Sequence, residues 1–445
     1  MTTPRTFTLT FTGDVMLGRL VDQLFPEHVN NPQDEAVAAN FKSEHPSILD
    51  NGNYTPSSPW GTTLSLFQKS DLNIINLETA VTTTHERWPN KSFNYRMHPA
   101  NLAPILHAAR IDYTNLANNH VLDFGSEGLV ETAWTLKNAR VAFSGAGETT
   151  NEAFKPAKLF LPRKTLLSHG CISIGTSSDS TGTITTIAPE KESGVDYLPV
   201  HIYSGSDHPQ CWSSVPNFHL IDYSPSTRVQ LRKLLLSNGT MEHPDETDSE
   251  CDIYHHAERR RQQLEHHDGD NESRQMSRSN VPALKIFSIH WGPNYTWKPT
   301  DEIRSLAHFL IDECGVDIVH GHSSHHVQGV EIYQGKVIIY GCGDFVDDYA
   351  LNREFRNNLG AVWRVICREI GGEGEQNTSS RPSGLIPVRL EIFPTRIERF
   401  RAILLDSGDV DHAWVQGRVS TLSRDFDTRV RGELGEEGQI IVDIE

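Results

Sequence analysis

Histidines are concentrated in one short stretch of this chain, directly after a run of apolar residues. The pattern predicts a buried strand over Val316–Val319, and His322, His325 and His326 follow it within a few residues. Side chains in the loop after a parallel strand lie where open α/β sheets bind their ligands. Imidazole binds divalent metals and exchanges protons near neutral pH. We therefore predict a metal or catalytic site in this loop.

Four more polar motifs each follow a predicted strand in the same way. They are Gly13-Asp14 after a strand at 6–12, Glu78 after a strand at 71–77, Asn118-Asn119-His120 after a strand at 111–116, and His290-Trp291-Gly292 after a strand at 283–289. The glycine before Asp14 is expected to allow a sharp turn. A capping role at a helix N-terminus is the alternative interpretation of Asp14. The shared position of the motifs predicts that their side chains converge at one edge of the fold.

Carboxylate, carboxamide and imidazole groups together make a mixed oxygen and nitrogen ligand set. Such a set suits Mn²⁺, Fe²⁺ or Zn²⁺, and the motifs contain no thiolate that would favour structural zinc. Two ions about 3.5–4 Å apart, bridged by a carboxylate and a hydroxide, generate a nucleophile at neutral pH and bind an anionic oxygen. We therefore predict a centre with one or two divalent transition-metal ions.

Helical patterns alternate with these strands and predict an α/β fold. Helices are expected at 99–110, at 126–139 after a cap formed by 123–126, at 226–236, and after Thr300, which precedes an amphipathic stripe. Gln334-Gly335 predicts a tight turn between two further strands. The polar segment 26–60 is expected to be a long loop, and further strands are expected at 140–144, 157–161, 171–175, 361–370 and 385–404.

Bulk composition excludes several classes of partner. A net charge of −18 over 445 residues argues against nucleic acid and anionic membranes, which need a basic surface. No apolar run is long enough to span a bilayer. The N-terminus enters a strand without the apolar core of a secretory signal, and six scattered cysteines indicate reduced thiols. These features predict a cytoplasmic protein.

Two segments differ in composition from the rest of the chain. The range 237–280 has acidic runs, an arginine triplet, paired histidines and almost no aliphatic residues, which predicts a low-complexity insertion. A weak metal-binding tract is the alternative for its histidines. The range 406–445 is charged and punctuated by glycine, and we expect it to be a tail that contributes little to the core.

Five motifs, taken in order, carry a resemblance to a known family. They are GDVMLGR (13–19), DLNIINLET (71–79), NLANNHVLDFG (115–125), IHWGPNY (289–295) and the histidine-rich stretch 315–345. In the order of these motifs the chain resembles the CapA family of capsule and poly-γ-glutamate synthesis proteins. The resemblance covers about Phe7 to Asp348. The fold of that family is related to the calcineurin-like metallophosphatases. The resemblance implies a two-sheet β-sandwich flanked by helices, forming one domain over 5–405.

The resemblance also implies a role for each matching residue. Asp14 and His325 would bind a first metal, Glu78 would bridge, and Asn119, His290 and His322 would bind a second metal. His120 would be the proton donor, oriented by Asp123. Met16 stands where the metallophosphatase pattern has a histidine, so the first metal would have fewer ligands. Ser323 and Asn294 replace a histidine and a glutamate that many relatives carry, a change that concerns the substrate pocket.

Three further side chains lie near these motifs. We expect Arg19 either to bind a substrate carboxylate or phosphate or to pair with a neighbouring acid. Asp344, after Gly343, is expected to be a turn residue, and His326 to lie outside the metal ligands.

The resemblance implies a metal-dependent hydrolase or transferase acting on a phosphoester, an amide or a γ-linked polyglutamate. The alternative is a non-catalytic binding or accessory protein for an acidic polymer or a biosynthetic partner. His120 separates the two, because a binding protein has no need of a proton donor beside a metal ligand.

Overall fold

Two large β-sheets, a two-stranded sheet and flanking helices make up the computed structural model, which describes residues 4–49, 53–163, 198–207, 218–237, 281–371 and 384–444. The strands are β1 (Thr6–Val15), β2 (Leu72–Leu77), β3 (Ala80–Val81), β4 (Arg96–Met97), β5 (Tyr113–Asn115), β6 (Ala142–Ser144), β7 (Ala157–Leu161), β8 (Leu198–Ser206), β9 (Leu284–His290), β10 (Ile318–His322), β11 (Val330–Tyr333), β12 (Lys336–Ile339), β13 (Asp344–Val346), β14 (Leu359–Ile370), β15 (Gly384–Ile397), β16 (Ala402–Leu404) and β17 (Ile440–Asp443). The helices are α1 (Arg19–Asp22), α2 (Pro32–Glu44), α3 (Leu64–Gln68), α4 (Pro99–Ala108), α5 (Gly125–Ala139), α6 (Thr150–Phe154), α7 (Pro225–Leu236), α8 (Asp301–Asp312) and α9 (Val410–Ser423).

Strand order places several strand ends at one edge of the fold. The first sheet has the order β16-β15-β14-β1-β2-β5-β6, with β13 paired to β1 and β17 paired to β15. The second has the order β11-β12-β10-β9-β8-β7. Strands β1, β2, β5 and β6 run parallel to one another in the first sheet, and β8, β9, β10 and β12 run parallel to one another in the second. The predicted α/β sandwich of two sheets is confirmed.

Apolar side chains fill the space between the sheets and the space on both outer faces. Between the sheets, Leu9 and Phe11 of β1 pack in one cluster with Ile286 of β9 and Ile318 of β10. Helices α4 and α5 cover part of the first sheet, and α7 and α8 cover the second. Thr300 caps α8, as predicted, because its side chain accepts a hydrogen bond from the Ile303 amide.

The C-terminal segment is part of this core, which corrects the expectation that it contributes little to it. Strand β17 pairs antiparallel with β15, and Ile440 and Val442 are fully buried. Val415 and Val419 of α9 are buried in the same cluster between the sheets. The glycines and charges of the segment lie in the turns and on the outer side of these two elements.

Two local predictions are also wrong. The segment 26–60 contains α2, which begins at Pro32 after Asn31, whose side chain accepts from the Asp34 amide. Helix α5 begins after Phe124 without a side-chain cap, so Asp123 does not cap it. The predicted strand at 171–175 lies outside the described residues, as do the loop at 372–383 and most of the insertion.

The predictions about cysteines and membrane spans can be compared with the described part of the chain. Cys314, Cys342 and Cys367 are buried free thiols, and the other three cysteines lie outside the described residues. Within the described ranges, each helix is too short or too polar to cross a bilayer.

Deleting Ser237–Asn280 and joining the ends with a short flexible linker should leave the fold and the metal content unchanged. The segment has too few apolar residues to offset the entropy of ordering it. The flanking elements are already close, because Lys285 Nζ of β9 donates to the Leu235 carbonyl of α7 at 3.0 Å. Thermal unfolding of both proteins tests this, and loss of a cooperative transition in the shortened chain would contradict it.

Candidate metal centre

Asp14 sits near the end of β1, at the point where β1 meets β13. Its backbone is in register with Asp344, and the Asp14 amide donates to the Gly343 carbonyl at 3.3 Å. Gly13 is needed here for close packing, because a Cβ atom at this position would lie 1.9 Å from the Gly343 oxygen. The sharp turn expected at Gly13 does not occur, since β1 continues through Val15. Asp14 is not a helix cap either, because Gly18 precedes α1.

Three asparagines at the ends of β2 and β5 hold one side of the Asp14 carboxylate. Asn76 Nδ2 donates to Asp14 Oδ1 at 2.8 Å. Asn115 and Asn118 in turn donate to Asn76 Oδ1, at 2.8 and 3.1 Å. This relay fixes the orientation of Asp14 and leaves its Oδ2 atom buried without a hydrogen-bond partner among the described residues.

Two groups of possible metal ligands share Asp14. The first contains His290 and His322, whose Nδ1 atoms lie 2.8 Å apart, with His322 Nδ1 4.0 Å from Asp14 Oδ1. The second contains His325 and Asp344: His325 Nδ1 is 3.7 Å from Asp14 Oδ2 and 2.8 Å from Asp344 Oδ1. In each group the ligand atoms lie within 4.8 Å of one another.

Asp344 is therefore a possible ligand, and its interpretation as a turn residue is wrong. It opens β13, a three-residue strand whose pairing with β1 places the carboxylate beside Asp14. His325 reaches the same point from the loop after β10 with a positive φ of 61°. His326 belongs to neither group, and its Nδ1 contacts the Val327 carbonyl at 3.1 Å.

Glu78 lies beside both groups, directly after β2. It is fully buried, and neither carboxylate oxygen has a hydrogen-bond partner within the described part of the chain. Its Oε1 atom is 4.0 Å from His290 Nε2 and 3.9 Å from His120 Nε2. Asn119 Oδ1 is also buried and has no hydrogen-bond partner among the described residues. Buried oxygen atoms without donors are costly, and a divalent cation would satisfy them. The residues present therefore fit a bound metal.

The pKa values of the carboxyl groups show how unfavourable the concentration of negative charge is. Burial raises the pKa of Asp14 to about 6. The pKa of Glu78 is raised well above its ordinary value by burial and then by the nearby Asp14 charge. Burial also raises the pKa of Asp344 well above its ordinary value, and Asp347, Asp14 and Glu78 add to the effect. A divalent cation would supply the positive charge that this cluster lacks.

His120 stands between Glu78 and an orienting carboxylate. Its Nδ1 is 2.6 Å from Asp123 Oδ2, which also accepts from the Tyr95 amide at 2.5 Å. Lys91 Nζ binds the other Asp123 oxygen and lies 3.4 Å from His120 Nδ1. The Tyr95 ring stacks on the imidazole with centroids 4.0 Å apart. These contacts hold the ring so that Nε2 is the atom nearest Glu78.

A cavity of about 630 Å³ opens over these groups. His120, Asn119 and His325 line it, so that the imidazole beside Glu78 and one of the candidate metal ligands border the same space. Arg19, an expected substrate contact, and Asn294, expected at the substrate pocket, also line it. Arg19 Nε is 3.3 Å from Asp348 Oδ2, so it pairs with an acid while still bordering the cavity.

A buried histidine next to the cluster shows the contrast with the candidate ligands. His320 Nε2 donates to the Thr12 carbonyl at 2.8 Å, which leaves Nδ1 to accept from the Ser288 hydroxyl at 2.9 Å. Burial lowers its pKa to about 4. Both of its nitrogens are thus satisfied by protein groups, and this side chain ties the two sheets together.

Sequence reasoning located Asp14, Glu78, Asn119, His120, Asp123, His290, His322 and His325, and the structure brings them together at one edge of the sandwich. Sequence reasoning missed Asp344, the Asn76 relay and the contacts of Lys91 and Tyr95. The signal for Asn76 was available, since an asparagine inside a short buried strand requires a buried hydrogen-bond partner.

The protein is thus a two-sheet α/β protein of metallophosphatase-like architecture, with buried carboxylates and imidazoles at the strand ends. Residues 8–349 match the family described as bacterial capsule synthesis protein PGA_cap, and the chain belongs to that family.

Relatives with known names agree with this assignment. The chain is similar to a probable polyglutamine synthesis accessory protein of Mycobacterium tuberculosis, with 30% identity over 439 residues that cover 96% of this chain and 94% of the relative. It is similar to the capsule biosynthesis protein CapA of Bacillus anthracis, with 23% identity over 362 residues, or 78% of this chain and 61% of the relative. A shorter match, 42% identical over 70 residues, covers 16% of this chain and 18% of the PGA biosynthesis protein CapA of Bacillus subtilis.

Proposed function

We propose that this protein is a metal-dependent hydrolase or transferase that acts on a phosphoester or amide bond of an anionic substrate in the synthesis of a poly-γ-glutamate or capsule-type polymer. The observation that carries the proposal is the pair of ligand groups sharing Asp14, with the unpartnered oxygens of Glu78 beside them. A site built only to hold a polymer would have no reason to bury three carboxylates together.

Asp14, His290 and His322 would hold one ion, and Asp14, His325 and Asp344 a second, with Glu78 and Asn119 completing the set. Mn²⁺, Fe²⁺ and Zn²⁺ all suit these oxygen and nitrogen donors. A bound ion of this kind lowers the pKa of water and polarises a carbonyl or phosphoryl oxygen.

His120 is placed to move a proton at the reacting bond. Asp123 accepts from Nδ1–H, which leaves the Nε2 atom to exchange a proton with a substrate in the cavity. Lys91 Nζ forms an ion pair with the other Asp123 oxygen and so helps to fix the carboxylate that orients the imidazole. The arrangement is the usual one of a general acid or base held by a second group.

Arg19 and Asn294 would bind the substrate away from the reacting bond. Arg19 is about one-third exposed in its side chain and lines the cavity together with His120 and His325. A phosphate or carboxylate on the substrate would share this guanidinium with Asp348.

Two probes test the activity directly. Wild-type protein loaded with Mn²⁺, Fe²⁺ or Zn²⁺ should turn over p-nitrophenyl phosphate or γ-linked glutamate oligomers, and a chelator should abolish that turnover. If fully metallated protein leaves both probes unchanged, the proposal of an enzyme is contradicted.

The second candidate function is an accessory protein that binds an acidic polymer without cleaving it. The name of the Mycobacterium tuberculosis relative, an accessory protein of polyglutamine synthesis, favours it. Calorimetry with γ-linked glutamate oligomers distinguishes the two, because this candidate predicts binding without turnover.

A further inference from the structure

A second polar cavity lies on the outer face of the first sheet, away from the metal cluster. Its volume is about 670 Å³. Arg364 of β14 and Arg389 and Glu391 of β15 form its floor, and the loop that precedes β17, with Glu437, forms one wall. Four basic side chains and three acidic ones line it, which makes it locally cationic on a protein of net charge −18.

Arg364 lines this cavity with its guanidinium over the Phe393 ring, and two of the three guanidinium nitrogens have no acceptor among the described residues. The residue is only 6% exposed. Its Nη1 atom donates to Glu391 Oε2 at 3.3 Å and to Glu437 Oε2 at 2.9 Å. The Nε and Nη2 atoms are buried and have no hydrogen-bond partner among the described residues. The two atoms together form one edge of the planar group, the edge that binds a carboxylate or phosphate through two parallel hydrogen bonds.

Two other arginines of this chain show what that edge does when an acid is available. Arg5 binds Glu369 through Nε and Nη2, at 2.7 and 3.0 Å. Arg431 binds Asp443 through the same two atoms, both at 2.6 Å. Arg364 has two carboxylates beside it, yet both contact Nη1, and Nε and Nη2 have no acceptor among the described residues.

We propose that this cavity binds a small oxyanion, a phosphate or a carboxylate, through the Nε–Nη2 edge of Arg364. A buried guanidinium edge without an acceptor costs free energy, because buried polar groups in proteins are normally hydrogen-bonded. An oxyanion satisfies both donors at once, and Arg389 and Lys69 at the rim add favourable charge. The site is independent of the metal centre.

Equilibrium dialysis with inorganic phosphate tests the site on the full metal-loaded chain at constant ionic strength. Wild type should have a phosphate-binding site whose affinity falls by about tenfold or more in Arg364→Lys. Lysine keeps the charge but cannot donate two parallel hydrogen bonds. Competition with glutarate distinguishes the two kinds of oxyanion. If glutarate displaces bound phosphate at a lower concentration than unlabelled phosphate does, the site prefers carboxylates. If a higher concentration of glutarate is needed, the site prefers phosphates.

Matched variants make the result specific. Arg431→Gln removes a cavity-lining arginine whose edge is already occupied by Asp443, and it should change the dissociation constant by less than about twofold. Asp14→Asn should still bind phosphate at the Arg364 site, which distinguishes this site from the metal centre. An equal loss in Arg431→Gln, or no loss in Arg364→Lys, would overturn the proposal.

A further variant serves if Arg364→Lys fails to fold. Glu437→Gln removes a partly exposed negative charge beside Arg364 and should tighten phosphate binding several-fold. Unchanged or weaker binding in this folded variant would overturn the proposal, as would wild-type protein that binds neither phosphate nor glutarate. If water alone satisfies the Nε–Nη2 edge of Arg364, wild-type protein will bind neither anion.

Discussion

Replacing His120 by asparagine is expected to lower turnover by about 10²–10⁴-fold, the usual contribution of a positioned proton-transfer group. Bound metal and melting temperature should stay near wild type. The imidazole contacts Asp123 and stacks on Tyr95, and its Nε2 atom lies 3.9 Å from Glu78 Oε1. It belongs to neither group of possible ligands. Steady-state kinetics with the active probe, together with metal analysis of the same sample, measures both quantities.

His322→Asn is the matched comparison for this variant. It makes the same chemical change at a histidine that lies within a ligand group, so metal and activity should fall together. If His120→Asn loses metal as His322→Asn does, His120 is a ligand and its proposed role as proton carrier is wrong. If His120→Asn keeps full activity, the proton moves through another group.

Asp14→Asn is expected to have the largest effect on metal binding, because Asp14 is the residue that both groups share. A change outside the ligands typically costs about 10–100-fold in metal affinity, and loss of this shared ligand should exceed that. Turnover should fall with the metal. The fold should survive, because the amide oxygen can still accept from Asn76 and a neutral side chain avoids the cost of burying a charge.

Asp348→Asn is the control for that experiment. Asp348 is a buried acid at the same cavity, but it pairs with Arg19 and lies in neither ligand group. The control should keep its metal and change only the binding of the anionic probe. Equal metal loss in both variants would show that the acidity of the cavity, and not coordination by Asp14, holds the ions.

The strand ends were predictable because their signals are local. Each of Asp14, Glu78 and His290 follows a short apolar run, and parallel strands deliver such residues to a common edge. The cap at Thr300 and the turn at Gln334-Gly335 were also correct, since both depend on a few adjacent residues.

Asp344 was not predictable from its own surroundings. Gly343-Asp344 has the composition of a turn, and the pairing of β13 with β1 that makes the residue a possible ligand joins segments about 330 residues apart. The same reason applies to the C-terminal segment, since β17 is recognisable as part of the sheet only through its pairing with β15. Contacts of this kind depend on the whole topology, and a single sequence carries no local signal for them.

Elemental analysis of the purified protein measures the bound metal itself. We expect one or two equivalents of Mn, Fe or Zn per chain in wild type and a near absence in Asp14→Asn. Added Mn²⁺ or Zn²⁺ should raise the melting temperature of metal-free wild type and leave that of Asp14→Asn unchanged, since only the folded wild type binds the ion. Wild-type protein that carries no metal, and that gains no thermal stability from either ion, would show that these residues do not form a metal site.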